Sequence, residues 1–148
     1  MGIIKIQIIL EGEKNMDEML SYLKNLTVLY VEDSEALREM TTMILELFFD
    51  KVIIGVDGED GFNKFKENNI DIVIADINMP KLNGLELYHK INEINADIPL
   101  IILSAHNEQS YIDHGIKVGV EHYLFKPINI NKLNEIFLAI FQKSKVGV

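Results

Sequence analysis

From Leu26 onward, short apolar runs alternate with longer segments in which apolar residues recur every three or four positions. The short runs predict strands, and the longer segments predict helices that bury one face. The expected strands are Leu26–Val31, Lys51–Val56, Asp71–Ala75, Pro99–Leu103 and Tyr123–Phe125, and the expected helices are Ser34–Phe49, Gly58–Glu67, Leu85–Ile94, Asn107–Val118 and Asn129–Lys143. The chain from Leu26 to Lys143 therefore predicts five strand–helix units.

The composition of the strands predicts their surroundings. Ile72, Val73 and Ile74 are consecutive apolar residues, a pattern typical of strands buried on both faces in a parallel sheet between helix layers. Right-handed crossovers then give a doubly wound α/β fold. Ligands of such sheets bind beyond the carboxyl ends of the strands. We therefore expect functional residues directly after the strands.

Polar residues follow four of the predicted strands. Glu32 and Asp33 follow the first, Asp76 the third, Ser104 the fourth and Lys126 the fifth. Carboxylates crowded into one pocket repel one another, and a hard dication such as Mg²⁺ with oxygen ligands relieves the repulsion. A lysine and a hydroxyl across the pocket suit phosphoryl oxygens. The set favours attack by one carboxylate on a phosphoryl group, which gives an aspartyl phosphate.

Each of these residues also has an ordinary structural interpretation. Glu32 and Asp33 are favourable at the start of a helix, and Asp76 is a common type of turn residue. Ser104 could be a strand-end hydroxyl, and Lys126 a solvated surface charge. The coincidence at four strand ends favours a shared site over these separate explanations.

Three segments carry a resemblance to a known family. Asp76–Gly84 (DINMPKLNG) resembles the phosphoacceptor segment of response-regulator receiver domains of two-component systems. Val28–Asp33 (VLYVED) resembles their acidic first strand end, and Gly119–Pro127 (GVEHYLFKP) resembles their last strand with its Lys-Pro. The resemblance extends from Leu26 to Lys143. It implies a (βα)5 fold with the flavodoxin-like, chemotaxis-regulator-like strand order 2-1-3-4-5.

The resemblance also implies roles for individual residues. Asp76 would accept a phosphoryl group from a histidine kinase or a histidine phosphotransfer protein, and Ser104 and Lys126 would contact its oxygens. The implied Mg²⁺ ligands are Asp33, Asp76, the backbone carbonyl of Asn78 and, through water, Glu32. The domain would promote only its own phosphorylation and dephosphorylation, as a signalling phosphoacceptor and not an enzyme acting on other substrates.

A switch is implied by the same resemblance. Ser104 would move to the phosphoryl group, and the Tyr123 ring could then turn inward and alter the surface around the last strand and its flanking helices. The alternative for Tyr123 is a half-exposed strand tyrosine. His106 and Asn78 flank the site and could tune the attack of water on the phosphoaspartate. The Lys126–Pro127 bond is expected to be cis, for which its proline makes it eligible.

Charge and cysteine content exclude several classes of function. The net charge is −9, and Arg38 is the only arginine, so nucleic-acid binding by this domain and attachment to anionic membranes are disfavoured. No apolar run approaches the roughly 20 residues of a membrane span. The absence of cysteine excludes disulfides and thiolate metal sites and fits a reducing cytoplasm.

Three rival functions stay open at this stage. An enzyme with an aspartyl nucleophile usually has a second acid two residues further on; the residue at that spacing is Glu35 after Asp33 and Asn78 after Asp76. A flavodoxin-like electron carrier would want a hydroxyl-rich phosphate loop where Glu32 and Asp33 stand. A pseudo-receiver would bind partners without phosphorylation, but the complete acidic and lysine set argues against it.

The two ends of the chain lie outside the resemblance. Residues 1–25 form an N-terminal extension with a short expected helix, Asp17–Lys24, and residues 144–148 form a C-terminal tail. Met16 could be the true start, with residues 1–15 translated only from an upstream start. Alternatively, Ile4–Ile8 alternates at strand period and could pair with a sheet edge. The downstream partner, or a fused effector domain, is not identifiable from these residues.

Overall fold

The computed structural model describes residues 2–105 and 108–146, without the side chains of Ile8 and Ile9. The helices are α1 (Gly2–Lys24), α2 (Glu35–Leu45), α3 (Gly58–Glu67), α4 (Gly84–Ile94), α5 (Gln109–Val118) and α6 (Ile130–Val146). The strands are β1 (Thr27–Val31), β2 (Lys51–Gly55), β3 (Ile72–Asp76), β4 (Leu100–Ser104) and β5 (His122–Phe125). From β1 onward, every strand is followed by a helix, as the hydrophobic pattern predicts.

The five strands form one parallel sheet. Its order is β2-β1-β3-β4-β5, which confirms the predicted doubly wound α/β fold and the order 2-1-3-4-5. Leu29 of β1 is paired with Ile53 of β2 and with Val73 of β3. Every residue of β3 and β4 is buried, because helices cover both faces of the sheet. The carboxyl ends of all five strands consequently meet at one edge.

A separate core lies on each face of the sheet. On one face, Tyr30 of β1 packs with Phe137 of α6 and with Met19 of α1. On the other face, Val73 of β3 packs with Leu87 of α4 and Phe65 of α3. Alternate side chains of a strand point to opposite faces, so β1 and β3 contribute to both cores. Burial of these apolar surfaces is the main force that holds the helices on the sheet.

Local signals set several helix ends. The Ser34 hydroxyl accepts a hydrogen bond from the backbone N–H of Leu37 at the start of α2. At the start of α4, Asn83 and Glu86 form a capping box in which each side chain accepts a backbone N–H of the other residue. Helix α5 ends at Gly119, whose φ of 104° lies in the left-handed region that glycine adopts without steric cost.

The strand interpretation of Ile4–Ile8 is wrong, because these residues lie inside α1. The expected short helix from Asp17 to Lys24 forms the carboxyl-terminal part of that longer helix. Met19 and Leu23 are completely buried there, and Tyr22 packs its ring 5.3 Å from that of Phe141. Once these contacts fix one part of a helix, extension by further residues no longer carries the cost of nucleation.

Two helices end at positions different from those expected. Helix α2 ends at Leu45 and not at Phe49, because the chain turns so that Phe48 and Phe49 both pack edge-on against Phe137. Helix α6 continues to Val146, where Lys145 donates a 2.9 Å hydrogen bond to Glu18. Within the described part of the chain, no helix is long and apolar enough to cross a membrane.

Candidate functional site at the carboxyl edge of the sheet

Three carboxylates lie together at the carboxyl edge of the sheet. Glu32 and Asp33 directly follow β1, and Asp76 is the last residue of the neighbouring strand β3. One carboxylate oxygen from each of the three lies within 4.8 Å of the others. Glu32 and Asp76 are buried, with 1% and 5% of their surface exposed, whereas Asp33 is exposed. The pocket therefore opens to solvent on the side of Asp33.

Lys126 lies on the inner side of this acidic group. It follows β5, and its backbone N–H donates a 2.9 Å hydrogen bond to the carbonyl of Ser104 at the end of β4. Its Nζ donates to Asp76 Oδ2 at 2.8 Å and to Glu32 Oε1 at 3.3 Å. The Lys126–Pro127 peptide bond is cis, as the resemblance implies. One ammonium thus contacts two buried carboxylates.

Protonation in the pocket reflects this crowding. Burial, together with the hydrogen bond and negative charge of Asp76, raises the pKa of Glu32 to about 7. Burial acts to lower the pKa of Lys126, but the hydrogen bonds and charges of Asp76 and Glu32 outweigh it, so the pKa is raised. Lys126 is accordingly charged at neutral pH, and one lysine does not compensate the whole acidic group.

Backbone contacts orient the acidic loop. Arg38 Nη1 donates to the carbonyl oxygens of Glu32 and Asp33 at 2.9 and 3.4 Å. The backbone N–H of Asn78 donates to Asp76 Oδ1 at 3.3 Å. Gly84 allows the loop after β3 to close, since a Cβ there would lie 2.5 Å from the carbonyl oxygen of Asp76. The loops after β1 and β3 are thereby fixed around the pocket.

Ser104 ends β4, one position beyond the residue that pairs with Asp76. It is completely buried. Its hydroxyl lies 2.9 Å from Glu108 Oε2 and 3.0 Å from the carbonyl oxygen of Ala105. The described hydrogen bonds of this hydroxyl therefore lead towards the start of α5. His106, which the sequence places beside the site, lies outside the described residues.

Tyr123 of β5 points towards α5. Its hydroxyl is buried and has no hydrogen-bond partner among the described residues. A Cβ added to Gly115 of α5 would lie 2.2 Å from that hydroxyl, so the ring end occupies space that exists only because residue 115 is glycine. Burial, with a smaller effect of Tyr88, raises the pKa of Tyr123 to about 12. The ring is partly buried between β5 and α5, and its part in a switch stays a prediction.

Comparison with known proteins decides the family. The sequence model of the response regulator receiver domain matches residues 28–138. The chain belongs to this family. It is a receiver domain of the two-component response-regulator type, a signalling domain whose family implies a histidine kinase as phosphodonor partner.

Curated relatives and solved structures extend the comparison. The transcriptional regulatory protein DegU of Brevibacillus brevis is 32% identical over 117 residues, which cover 78% of this chain and 50% of that protein. The receiver domain therefore spans about half the length of such relatives. A Clostridium thermocellum receiver domain matches with a TM-score of 0.76 at 26% identity, over 83% of this chain and 99% of that one. The N-terminal domain of an uncharacterized Wolinella succinogenes protein matches with a TM-score of 0.72 at 37% identity, over 82% and 98%.

The acidic pocket of this receiver domain fits a hard dication. Its donor atoms are carboxylate oxygens, which Mg²⁺ prefers. Three carboxylates face one ammonium, and burial together with the neighbouring Asp76 raises the pKa of Glu32. Glu32, Asp33, Asp76 and the carbonyl of Asn78 are the groups that could hold the ion.

Three residues of the receiver site were not predicted from the sequence. In the sequence, Arg38 stands out only as a charge, although an arginine one turn into the helix after an acidic pair is well placed to contact that loop. Glu108 is an acidic residue four positions after Ser104, which is a usable but weak signal. Gly115 gave no signal, since its contact with Tyr123 depends on how α5 packs against β5.

Proposed function

We propose that this receiver domain is a phosphoacceptor switch with Asp76 as the acceptor. A carboxylate oxygen of Asp76 attacks the phosphorus of a phosphohistidine on a histidine kinase or a histidine phosphotransfer protein. The new O–P bond forms as the P–N bond breaks, and the electron pair leaves with the imidazole nitrogen. The product is an aspartyl phosphate, an acyl phosphate that water can hydrolyse to regenerate Asp76.

The observation that carries the proposal is the surroundings of Asp76. It is 95% buried yet lies within 4.8 Å of two further carboxylates at the open edge of the sheet, and its Oδ2 is 2.8 Å from Lys126 Nζ. A carboxylate that served only the fold would not need two acidic neighbours, because like charges at this distance destabilise one another. The arrangement is suited to a ligand that brings both a cation and an anion.

Each neighbouring residue then has a defined part. Asp33 and Asp76, with Glu32 and the Asn78 carbonyl, would hold Mg²⁺, which supplies positive charge to offset the phosphoryl oxygens during transfer. Lys126, already hydrogen-bonded to Asp76, donates to a phosphoryl oxygen. Ser104 donates its hydroxyl proton to another. These contacts leave Oδ1 of Asp76 as the oxygen that attacks the phosphorus, since Lys126 is hydrogen-bonded to Oδ2.

Output follows from the movement of Ser104 and Tyr123. A phosphoryl group that draws the Ser104 hydroxyl towards Asp76 changes the packing between β4, β5 and α5. Such local events are amplified where a packed element has two discrete arrangements. The surface made by α5, β5 and α6 is therefore the proposed signalling face, read by a downstream protein or an effector domain.

Phosphorylation with a small-molecule donor tests the function. Acetyl phosphate with Mg²⁺ should add one phosphoryl group to the wild-type protein, detected by intact-mass spectrometry, and none to Asp76→Asn. Asp97→Asn is the matched control, because Asp97 is exposed and remote from the carboxyl edge. Equal labelling of the wild type and Asp76→Asn would assign the phosphoryl group to another residue.

A further inference from the structure

The side chain of the residue that precedes helix α5 contacts a different element, strand β4. Glu108 stands at the N-cap position of α5, with φ −107° and ψ 36°, and its side chain makes no capping hydrogen bond to that helix. Its Oε2 instead accepts from the Ser104 hydroxyl at 2.9 Å and from the backbone N–H of Ala105 at 3.1 Å. The carboxylate thus ties the residue that precedes α5 back to the end of β4.

The Ser104 hydroxyl has only one proton to donate. Among the described residues, its acceptors are the carboxylate of Glu108 and the neutral carbonyl of Ala105, at 2.9 and 3.0 Å. A hydrogen bond to an ionised acceptor is roughly twice as strong as one to a neutral acceptor, and Ser104 is shielded completely from water. The proton is therefore committed to Glu108 while Asp76 is unmodified.

We infer that Glu108 is a positioning residue that holds the Ser104 hydroxyl in the unphosphorylated domain and competes with the phosphoryl group for its proton. The inference rests on the proposed function, in which Ser104 donates to a phosphoryl oxygen. For that donation to occur, the bond to Glu108 must break. The carboxylate of Glu108 consequently opposes phosphorylation, because the hydrogen bond from Ser104 to a phosphoryl oxygen forms only at the expense of the one to Glu108.

The hydrogen bond between Ser104 and Glu108 also connects the phosphoryl site to the signalling face. When Ser104 turns to a phosphoryl oxygen, the Glu108 side chain loses one of its two hydrogen bonds to the end of β4. Helix α5 then loses a restraint on its first turn. Gly115, two turns further along α5, receives the Tyr123 hydroxyl, where a Cβ would lie only 2.2 Å away. A displacement of α5 therefore alters the space available to Tyr123, which links the two switch residues through Glu108.

Binding of beryllofluoride, a phosphoryl mimic formed from beryllium chloride and excess fluoride with Mg²⁺, tests the inference. Its half-saturating concentration is measured from backbone amide shifts in four proteins: the wild type, Glu108→Gln, Ser104→Ala and the double variant. Glutamine keeps an acceptor for the Ala105 N–H but removes the negative charge. Glu108→Gln should bind about three- to tenfold more tightly than the wild type, as expected for loss of one charge-assisted hydrogen bond.

The Ser104→Ala background separates positioning from a merely structural role. Without the hydroxyl there is no proton to compete for, so Glu108→Gln should leave the affinity of Ser104→Ala unchanged. Glu135→Gln, an exposed glutamate on α6, is the control and should match the wild type. Unchanged or weaker binding by Glu108→Gln, or the same gain in the Ser104→Ala background, would overturn the inference.

A measurement without any phosphoryl mimic keeps the inference distinct from the proposed function. The Ser104 side-chain rotamer is read from three-bond couplings in the ligand-free protein. A single rotamer is expected in the wild type, and averaging over several in Glu108→Ala. If none of the four proteins binds beryllofluoride, the proposed function fails, and the inference about Glu108 is then tested by the Ser104 rotamer alone. An unchanged rotamer in Glu108→Ala would show that Glu108 does not hold the Ser104 hydroxyl.

Discussion

Lys126 donates a 2.8 Å hydrogen bond from Nζ to Oδ2 of Asp76, across 50 residues of sequence, at the carboxyl edge of the sheet. The ammonium partly neutralises the carboxylate at Oδ2, while Oδ1 accepts the backbone N–H of Asn78 at 3.3 Å. The pair thus places a cation beside the carboxylate, where phosphoryl oxygens would arrive under the proposed function. Asp33 and Glu32 add further negative charge beside this pair. The stability of the folded domain should therefore respond to Mg²⁺ and to protonation of Glu32.

Mg²⁺ should stabilise the unphosphorylated domain through Asp33. A ligand that binds only the folded state raises stability by RT ln(1 + [L]/Kd), which is about 1.4 kcal/mol at a free concentration roughly tenfold above Kd. The melting temperature should then rise by about 3–6 °C. The rise should disappear in Asp33→Asn and persist in Asp97→Asn, as measured by calorimetry with and without Mg²⁺. An equal rise in Asp33→Asn would place the ion elsewhere.

Stability without divalent cations should fall as the pH rises through the range in which Glu32 titrates. The folded-state pKa of Glu32 is raised to about 7 by burial and by Asp76, whereas the unfolded value is about 4.3. Between these values the folded chain binds more protons than the unfolded chain, so the free energy of unfolding decreases with increasing pH. The loss attributable to Glu32 is on the order of 3 kcal/mol from pH 4.5 to pH 8.

Urea unfolding in EDTA measures this effect as the difference between two proteins. Glu32→Gln removes the titrating group while keeping a similar shape. Groups remote from Glu32 titrate equally in both proteins and cancel in the difference. The stability of the wild type relative to Glu32→Gln should therefore decline with increasing pH. Parallel stability curves from pH 4.5 to pH 8 would show that Glu32 does not carry the raised pKa.

Gly115→Ala should destabilise the protein by forcing Tyr123 out of its position. The new Cβ would lie 2.2 Å from the Tyr123 hydroxyl and 3.0 Å from Leu85 Cδ2, and overpacking of this kind costs about 1–3 kcal/mol. Alanine alone would favour a helix over glycine by up to about 1 kcal/mol, so a net loss reflects the clash. Gly12→Ala, with no atom within 4 Å of the added Cβ, is the control and should not destabilise the protein.

Removal of the hydroxyl should relieve that clash. In the Tyr123→Phe background, Gly115→Ala should cost at least about 1 kcal/mol less than in the wild type, since contacting residues give non-additive effects of this size. Denaturant unfolding of the four proteins gives the coupling free energy. Additive effects would mean that the ring has room to move away, and that Gly115 does not fix its position.

The two halves of α1 should contribute very differently to stability. Ile3, Ile4, Ile6 and Leu10 are exposed by 58–80%, whereas Met19 and Leu23 are completely buried. A chain beginning at Met16 should therefore melt at the same temperature as the full chain and be phosphorylated at the same rate. Leu23→Ala should cost about 3 kcal/mol, and Ile4→Ala less than about 0.5 kcal/mol. A clear loss of stability or a changed oligomeric state on removal of residues 1–15 would contradict this prediction.

Local patterns in the sequence were sufficient for the architecture of the sheet region. Consecutive apolar residues such as those of Ile72–Ala75 identify strands buried on both faces, and the rule that parallel strands end at one edge brings Glu32, Asp33, Asp76 and Lys126 together before any coordinates are known. These inferences succeed because burial on two faces leaves a periodic signature in the chain itself. The strand order followed from the resemblance of three short segments to receiver domains.

Other features depended on which residues meet in space, and no local pattern records that. The alternation at Ile4–Ile8 suggested a strand, yet the helix prevails because its distant end is fixed by Met19 and Leu23 in the core. Likewise, the packing of α5 on the sheet brings Glu108 into hydrogen-bond distance of Ser104. The same packing places Gly115 against the Tyr123 hydroxyl. Hydrogen bonds and steric contacts are short-ranged, so only the tertiary structure decides which of the chemically possible partners lie within reach.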